Sequence, residues 1–492
     1  MTRKQDVLKS AALFIVVAFG TRANGQQAPF AARDVAVTSR DRVYSADQTS
    51  NTVSVIDPST NRLLGSIRLG DPVPGSLSAV YKGELLVHGL GYSPDSRTLA
   101  VVSVGSNSVT LIDPATNTIR GRIYVGRSPH EAFFTPDGRE LWVTIRGQNY
   151  VSVIDPVAMK EVRRIEVAGG PGMLMFGPDG RYAFVCSSFN PELDVIDKGS
   201  HRVVNRLTQA SPFCPNIAVT PENDEVWITL KDVGKVQIFD ARPPFAQKAV
   251  LETGPITNHV NFANNRNGKF AYVTIGGTDE VKVYKRGAQP QLVATVPVGA
   301  LPHGLWPSGD GSRMYVALEN AGAVAAINTL TNSVVATIPI GQTPQALVYV
   351  PVAVPTGAGT SNLIPLGEAA NSAKLQLRGN ATSTSSARAS ATVNSLGLID
   401  LVEIAAAGLT PRSQYQVYLA EAPTAPFGNM EKLAVLKINP DGAGVVQAIG
   451  PLKSLGNRPS TGAATTPRRY LVVTAMDNPS AVVLQPAADV SR

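Results

Sequence analysis

The stretch NSVTLIDPATNTIRGRIYVG, residues 107–126, recurs throughout its own chain. Variants of it read NTVSVIDPSTNRLLGSIRLG at 51–70, NYVSVIDPVAMKEVRRIEVAG at 149–169 and ELDVIDKGSHRVVNRLTQA at 192–210. Others are GKVQIFDARPPFAQKAVLETG at 234–254, DEVKVYKRGAQPQLVATVPVG at 279–299 and GAVAAINTLTNSVVATIPIG at 322–341. The phrase returns about every 42 residues from residue 41 to about 352. Each unit carries four short runs rich in Val, Ile, Phe and Tyr, separated by Pro, Asp, Gly and Asn. Alternation is strong in Val151-Ser152-Val153-Ile154. Four strands per unit at this period is the signature of a β-propeller blade. The ends support closure. Residues 42–69 supply three strands and TPQALVYVPV, residues 343–352, supplies one, so together they complete a seventh blade. The expectation is a seven-bladed, all-β propeller over residues 41–353, a ring without open edges.

The segments AYVTIGG (271–277) and LWVTIRG (141–147) resemble the repeats of the YVTN family of β-propellers. The resemblance covers about two thirds of the chain and implies the propeller fold. It implies little about function, because propellers host binding, scaffolding and several unrelated chemistries.

Within the repeat, a histidine precedes the Pro-Asp-Gly type of turn. RSPHEAFFTPDG (127–138) places His130 six residues ahead of Pro136, and LVHGLGYSPDS (86–96) places His88 six ahead of Pro94. LPHGLWPSGDGS (301–312) carries His303 in the same way. Propeller topology puts the first residue of each innermost strand at the mouth of the central channel. Counted back from the turns, this position holds His88, His130, Gly172, Pro215 or Asn216, His259, His303 and Gln345. Blades four and five need a one-residue adjustment. Four of the five histidines then share one arc, and His201 is left on an outer turn without a partner. Imidazole is the commonest metal ligand and suits copper or zinc. The candidate metal ligands are therefore His88, His130, His259 and His303, with Glu131 as a further ligand or acid/base group. The alternative is a consensus residue copied from blade to blade with no site attached.

Other residues belong to the same face. The loops after the second strands carry Arg146, Gln148, Lys231 and Glu319, and Asn258 and Asn261 flank His259. With Gln345 they make up the candidate face for a protein or small-molecule ligand. The connection 71–86 is longer than its counterparts and is a candidate lid.

Composition bounds the class. Hydrophobic residues make up 43% and charged residues 16%, as in a globular protein with a large core. The formal charge of +7 falls to about +4 without the first 25 residues, which hold Arg3, Lys4, Lys9, Arg22 and Asp6. The remaining basic residues are scattered, so no nucleic-acid partner is expected. Residues 1–25 run from basic to apolar (Ala11–Gly20) to small, the layout of a signal peptide cleaved after Gly25. A spanning helix needs about 20 apolar residues, twice this run, so an integral membrane protein is not expected. The expectation is export, to the periplasm or the medium. Cys186 ends a second strand and Cys214 begins the next blade's inner strand. A disulfide is the favoured reading, with two buried thiols as the alternative.

After Pro355 the composition shifts. Residues 354–372 read as a small-residue linker, and 373–492 as a smaller β-sandwich-like domain, although LIDLVEIAAAG (398–408) also admits a helix. This domain has no His and no Cys. That excludes the two-copper-site arrangement of nitrous oxide reductase, which is also an exported seven-bladed propeller with a β domain after it. Two functional readings lead, with a redox partner or metal-storage protein that holds the same ion without turnover as a third. One is an exported binding or scaffolding propeller that uses the channel-mouth face. The other is a copper- or zinc-dependent enzyme of hydrolase or lyase type at the histidine cluster.

Overall fold

The computed structural model describes residues 36–71, 81, 83–380, 386–396, 399–455 and 467–487. The expected signal peptide and residues 72–80 and 82 of the candidate lid lie outside the described residues. Seven four-stranded antiparallel sheets follow one another around a ring. The innermost strands of blades 1 to 6 are Val87–Tyr92, Pro129–Phe134, Pro171–Phe176, Ile217–Val219, Thr257–Asn265 and Pro302–Pro307. Blade 7 is composite. Pro344–Val350 pairs with Arg42–Asp47, and Thr52–Asp57 and Arg62–Arg68 follow. Asp41 fastens this closure by accepting the Tyr349 hydroxyl at 2.6 Å and the Val352 amide at 2.7 Å.

Burial explains the wording of the repeat. In blade 1, Leu99–Ser103 is buried throughout, whereas the outermost strand Thr118–Tyr124 exposes every other residue. Inner strands have a neighbouring blade on each face and read as continuous apolar runs; the outermost strand meets water. One aromatic ring stands at the same second-strand position in six blades: Tyr44, Trp142, Phe184, Trp227, Tyr272 and Tyr315, all fully buried. The turns are equally regular. Thr135 donates to Asp137 at 2.6 Å, Asp137 accepts the Arg139 amide at 3.2 Å, and Gly138 takes φ +71°. Such a left-handed position strains a residue with a Cβ, which is why glycine closes the turn.

After the ring, residues 354–371 do not hang free. Arg42 donates to the Ala358 carbonyl at 2.6 Å and Asn117 to the carbonyls of Gly359 and Ser361 at 3.0 and 2.9 Å. Ser66, on the outermost strand of blade 7, then bridges Ile364, and Gln342 donates to Asn371 at 2.7 Å. The segment thus climbs the rim of the propeller to the mouth side. There the C-terminal residues form one nearly closed eight-stranded sheet. Its order is Met430–Lys437, Gln414–Ala420, Tyr470–Ala475, Asn478–Pro486, Ser372–Gly379, Arg388–Ser395, Asp400–Ala407 and Gly444–Gly450. The sandwich-like domain is therefore a single curled sheet around its own core, which includes Val402, Ile404, Val417 and Val473. The segment that also admitted a helix is the strand Asp400–Ala407, because its alternate residues Val402, Ile404 and Ala406 feed that core.

This domain sits on the propeller. Ala405, Ala407 and Ala443 pack with Ile256 and Leu301. Asn394 donates to Thr343 at 2.8 Å, Asn320 to Ser390 at 3.2 Å and Arg388 to the Gly277 carbonyl at 3.2 Å. These contacts fall on blades 5 to 7 of the mouth face. No helix among the described residues is long and apolar enough to cross a membrane.

Candidate metal centre at the propeller hub

A β-bulge interrupts each histidine-bearing inner strand where it meets the second strand. The pairing slips between Val87 and Leu90, Pro129 and Ala132, Thr257 and Val260, and Pro302 and Leu305. A bulge leaves residues unpaired and re-aims their side chains. Two residues are released in this way in blades 1, 2, 5, 6 and 7, and Gly172 alone in blade 3, where Met173 stays paired with Cys186; aligned by register, these positions make two rings. His88, His130, Gly172, Asn258, His303 and Gln345 occupy the upper ring. Gly89, Glu131, Met173, His259, Gly304 and Ala346 occupy the lower one. Glu131, Met173, His259, Gly304 and Ala346 line a small axial cavity of about 20 Å³.

This register corrects the expected arc. In backbone register Asn258, not His259, matches His130 and His303, and His259 matches Glu131, although its ring still reaches that of His303. The reason is the longer first hairpin of blade 5, where Thr257–Asn265 pairs with Gly268–Ile275. Counting back from its turn misplaces the residue. The inter-blade threonines give the right register. The Glu131 amide donates to Thr144 at 3.1 Å, and the His259 amide donates to Thr274 at 2.8 Å.

His88 and His130 face each other with ring centroids 4.2 Å apart, and His259 and His303 with centroids 4.7 Å apart. The Glu131 carboxylate tucks in beside the first pair. Its Oε1 lies 3.7 Å from His88 Nδ1 and 3.9 Å from His130 Nδ1. Both distances are too long for hydrogen bonds. Each of these three side chains is buried and offers a ligand atom within 4.8 Å of the others. Gly89 makes the room: a Cβ there would meet Glu131 Oε2 at 2.6 Å and the His130 carbonyl at 2.2 Å. Both Nδ1 atoms are buried without a hydrogen-bond partner. Such orphans are rare in folded proteins, and an ion is one recognised reason for them. By contrast, His303 Nδ1 is satisfied by the Gln345 carbonyl at 2.8 Å.

Electrostatics favour the neutral imidazole at His130, His259 and His303. Burial holds His130 well below the ordinary histidine value, and the charges of His88 and Arg146 push the same way. Burial likewise brings His259 down to about 3 and holds His303 well below its usual range. Burial raises the Glu131 carboxyl, with His88 opposing. A neutral imidazole has a lone pair free for a metal.

The remaining candidates divide. Asn258 and Asn261 are buried and donate to the Pro302 and Leu305 carbonyls at 2.8 and 3.2 Å, tying blade 5 to blade 6. Gln148 is exposed and accepts the Arg127 amide at 3.0 Å. Gln345 donates to Glu319, and the nearby Glu403 belongs to the C-terminal domain. Glu319 is therefore covered rather than presented, and Lys231 lies close enough to act on both carboxyls. The sequence did not show that the chain's own second domain occupies this part of the face. Arg146 remains on the far side, its guanidinium carbon 5.5 and 5.6 Å from the ring centroids of Phe189 and Phe213. His201 is not without a partner: its Nε2 lies 3.0 Å from both Glu140 oxygens, and its ring packs on Trp142. Cys186 and Cys214 are joined as a disulfide.

Residues 73–350 match the family described as YNCE-like beta-propeller. No curated protein matches the chain. Among solved structures, Kuenenia stuttgartiensis hydrazine synthase is similar at 22% identity, over 57% of this chain and 90% of that one, with a TM-score of 0.49. A functionally unknown protein from Desulfotomaculum acetoxidans DSM 771 is 12% identical over 62% of this chain and 98% of that one, with a TM-score of 0.50. At 12% identity the second likeness is one of fold alone.

Proposed function

Given that the chain belongs to the YNCE-like β-propeller family, we propose that it is a binding propeller whose hub takes a transition-metal ion, copper or zinc, at His88, His130 and Glu131. The observation that carries this reading is the pair of buried, unpartnered Nδ1 atoms facing one buried carboxylate at 3.7 and 3.9 Å. Two ligands of one tetrahedral ion at bonds of about 2.0–2.2 Å stand roughly 3.3 Å apart, so small side-chain movements close the set. Two imidazoles and a carboxylate are borderline donors, which suits copper and zinc rather than magnesium or calcium. Three protein ligands leave a fourth position for water or a ligand. A metal-dependent hydrolase or lyase also needs that open position. Turnover by the loaded protein is what separates this second reading from binding alone.

The protein is also proposed to be exported, with its mature chain beginning at Gln26. The basic, apolar and small N-terminal pattern supports this, as does the pairing of the chain's two cysteines.

The test is metal analysis of purified protein after dialysis against copper(II) or zinc(II), beside a His88→Ala/His130→Ala variant with an unchanged circular dichroism melt. The wild type is expected to hold about one ion per chain. The variant should bind at least about 100-fold more weakly, beyond the 10–100-fold that outer partners of a ligand are worth. Equal binding by the two proteins, or none by the wild type, would overturn the reading.

A further inference from the structure

Arg146 has no part in the proposed ligand set, yet its position calls for a role. It follows the second strand of blade 2, Leu141–Ile145, at the mouth of the channel. It lies close enough to His130 to disfavour that ring's protonation. Its Nε is buried without a hydrogen-bond partner, and no acidic side chain among the described residues pairs with it. Its only described neighbours of note are two rings, Phe189 and Phe213, at 5.5 and 5.6 Å. Phe189 is 60% exposed, unusual for so large an apolar side chain. Among the described residues, the C-terminal domain makes its contacts on blades 4 to 7, away from this guanidinium and this ring.

We infer that Arg146 and Phe189 form a subsite for a small organic carboxylate, whose charged end lies between the guanidinium and the ion at His88, His130 and Glu131, and whose apolar body lies on Phe189. The inference rests on the metal reading above and extends it to the class of ligand. The charge balance favours an anion. A divalent ion, one carboxylate and one guanidinium leave two positive charges in a buried setting, and an entering carboxylate cancels one of them. The carboxylate also supplies what each half lacks, an oxygen for the fourth metal position and acceptors for the guanidinium. Arginine is suited to this task because its planar fork of donors matches a carboxylate. The flanking rings hold that fork in place and exclude water on one side.

The experiment titrates benzoate and formate into copper(II)-loaded protein, followed by the copper d–d absorption band and electron paramagnetic resonance. Both anions should shift the spectrum of the wild type, and benzoate should bind more tightly. Arg146→Gln should weaken both by about 10- to 100-fold, the worth of a charge-assisted pair. Phe189→Ala should remove the advantage of benzoate and leave formate unchanged. Anion affinities unaltered in Arg146→Gln would overturn the subsite while leaving the metal centre standing. Failure of the wild type to hold copper would overturn the two-part site. Calorimetry of benzoate on the metal-free wild type and Arg146→Gln would then show whether the guanidinium binds the anion unaided.

Discussion

Thr144, Thr229 and Thr274 occupy one position in three blades, and each ties its blade to the next. Their hydroxyls donate to the carbonyls of Gly172, Asn258 and His303 at 3.1, 2.6 and 2.8 Å. Thr144 and Thr274 also accept the amides of Glu131 and His259, the residues that the bulges release. One hydroxyl therefore satisfies two backbone groups that the strand ladder leaves unpaired. Thr274→Val keeps the shape and removes the hydroxyl. It should cost about 1–3 kcal/mol, the penalty for stranding buried polar groups. A lowered guanidinium midpoint in Thr274→Val, restored in Thr274→Ser, is the expected result; a midpoint equal to that of the wild type would contradict this role. At this scale the sequence was partly legible. His88, His130 and His303 could be read from the repeat, because their blades share hairpin lengths. His259 could not, since two more residues in a hairpin change the count without changing the motif. Nor could the ring partners of Arg146, Phe189 and Phe213, which lie beyond its own blade and follow no sequence spacing.

The strands themselves could be read from the chain because the propeller places the same demand on each copy. The inner three strands of a blade are walled in on both faces, so their sequences repeat in apolar character and in turn chemistry. The bulges carry no such mark: Pro-His-Gly and Pro-His-Glu look like ordinary strand starts. One blade departs from the threonine device in an informative way. Cys186 takes the threonine position in blade 3, and its bond to Cys214 spans the same gap to blade 4 that the hydroxyls span elsewhere. A covalent tie there agrees with the proposed export to an oxidising compartment. Protein recovered from its native cells should therefore begin at Gln26 and show no alkylatable thiol unless reduced. An intact Met1 with two free thiols would contradict export. The 354–372 linker was legible only as composition. Its small residues permit a close path along the rim, but they do not name the asparagine and arginine side chains that hold it there.

For the whole molecule, the main surprise is that the second domain docks on the mouth face. Its presence was legible from alternation and turns, whereas its docking was not, because the contacts are backbone carbonyls, small residues and one pair of carboxyl groups. That pair gives the docking a pH dependence. Burial raises both Glu319 and Glu403, and Glu403 raises Glu319 further; Lys231 opposes in both cases, as do the Gln345 and Gln447 amides on their respective partners. Raised folded values mean that the docked state binds protons more tightly than the separated one. The contribution is complete below the ordinary carboxyl value of 4.5 and is lost as pH rises through the folded values. Melting temperature should thus decline above about pH 5, and Glu403→Gln, which keeps the Gln447 contact region without the charge, should flatten the decline. Parallel slopes in the two proteins would remove the pair from the account. With the chain's own domain over blades 5 to 7, the proposed site rests on His88, His130, Glu131 and Arg146. The most direct measurement is an anomalous difference map from crystals grown with zinc(II) and recorded on both sides of the zinc edge. The account predicts one strong peak between His88 Nδ1, His130 Nδ1 and the Glu131 carboxylate. A featureless hub, or a peak only at surface sites such as His201, would contradict it.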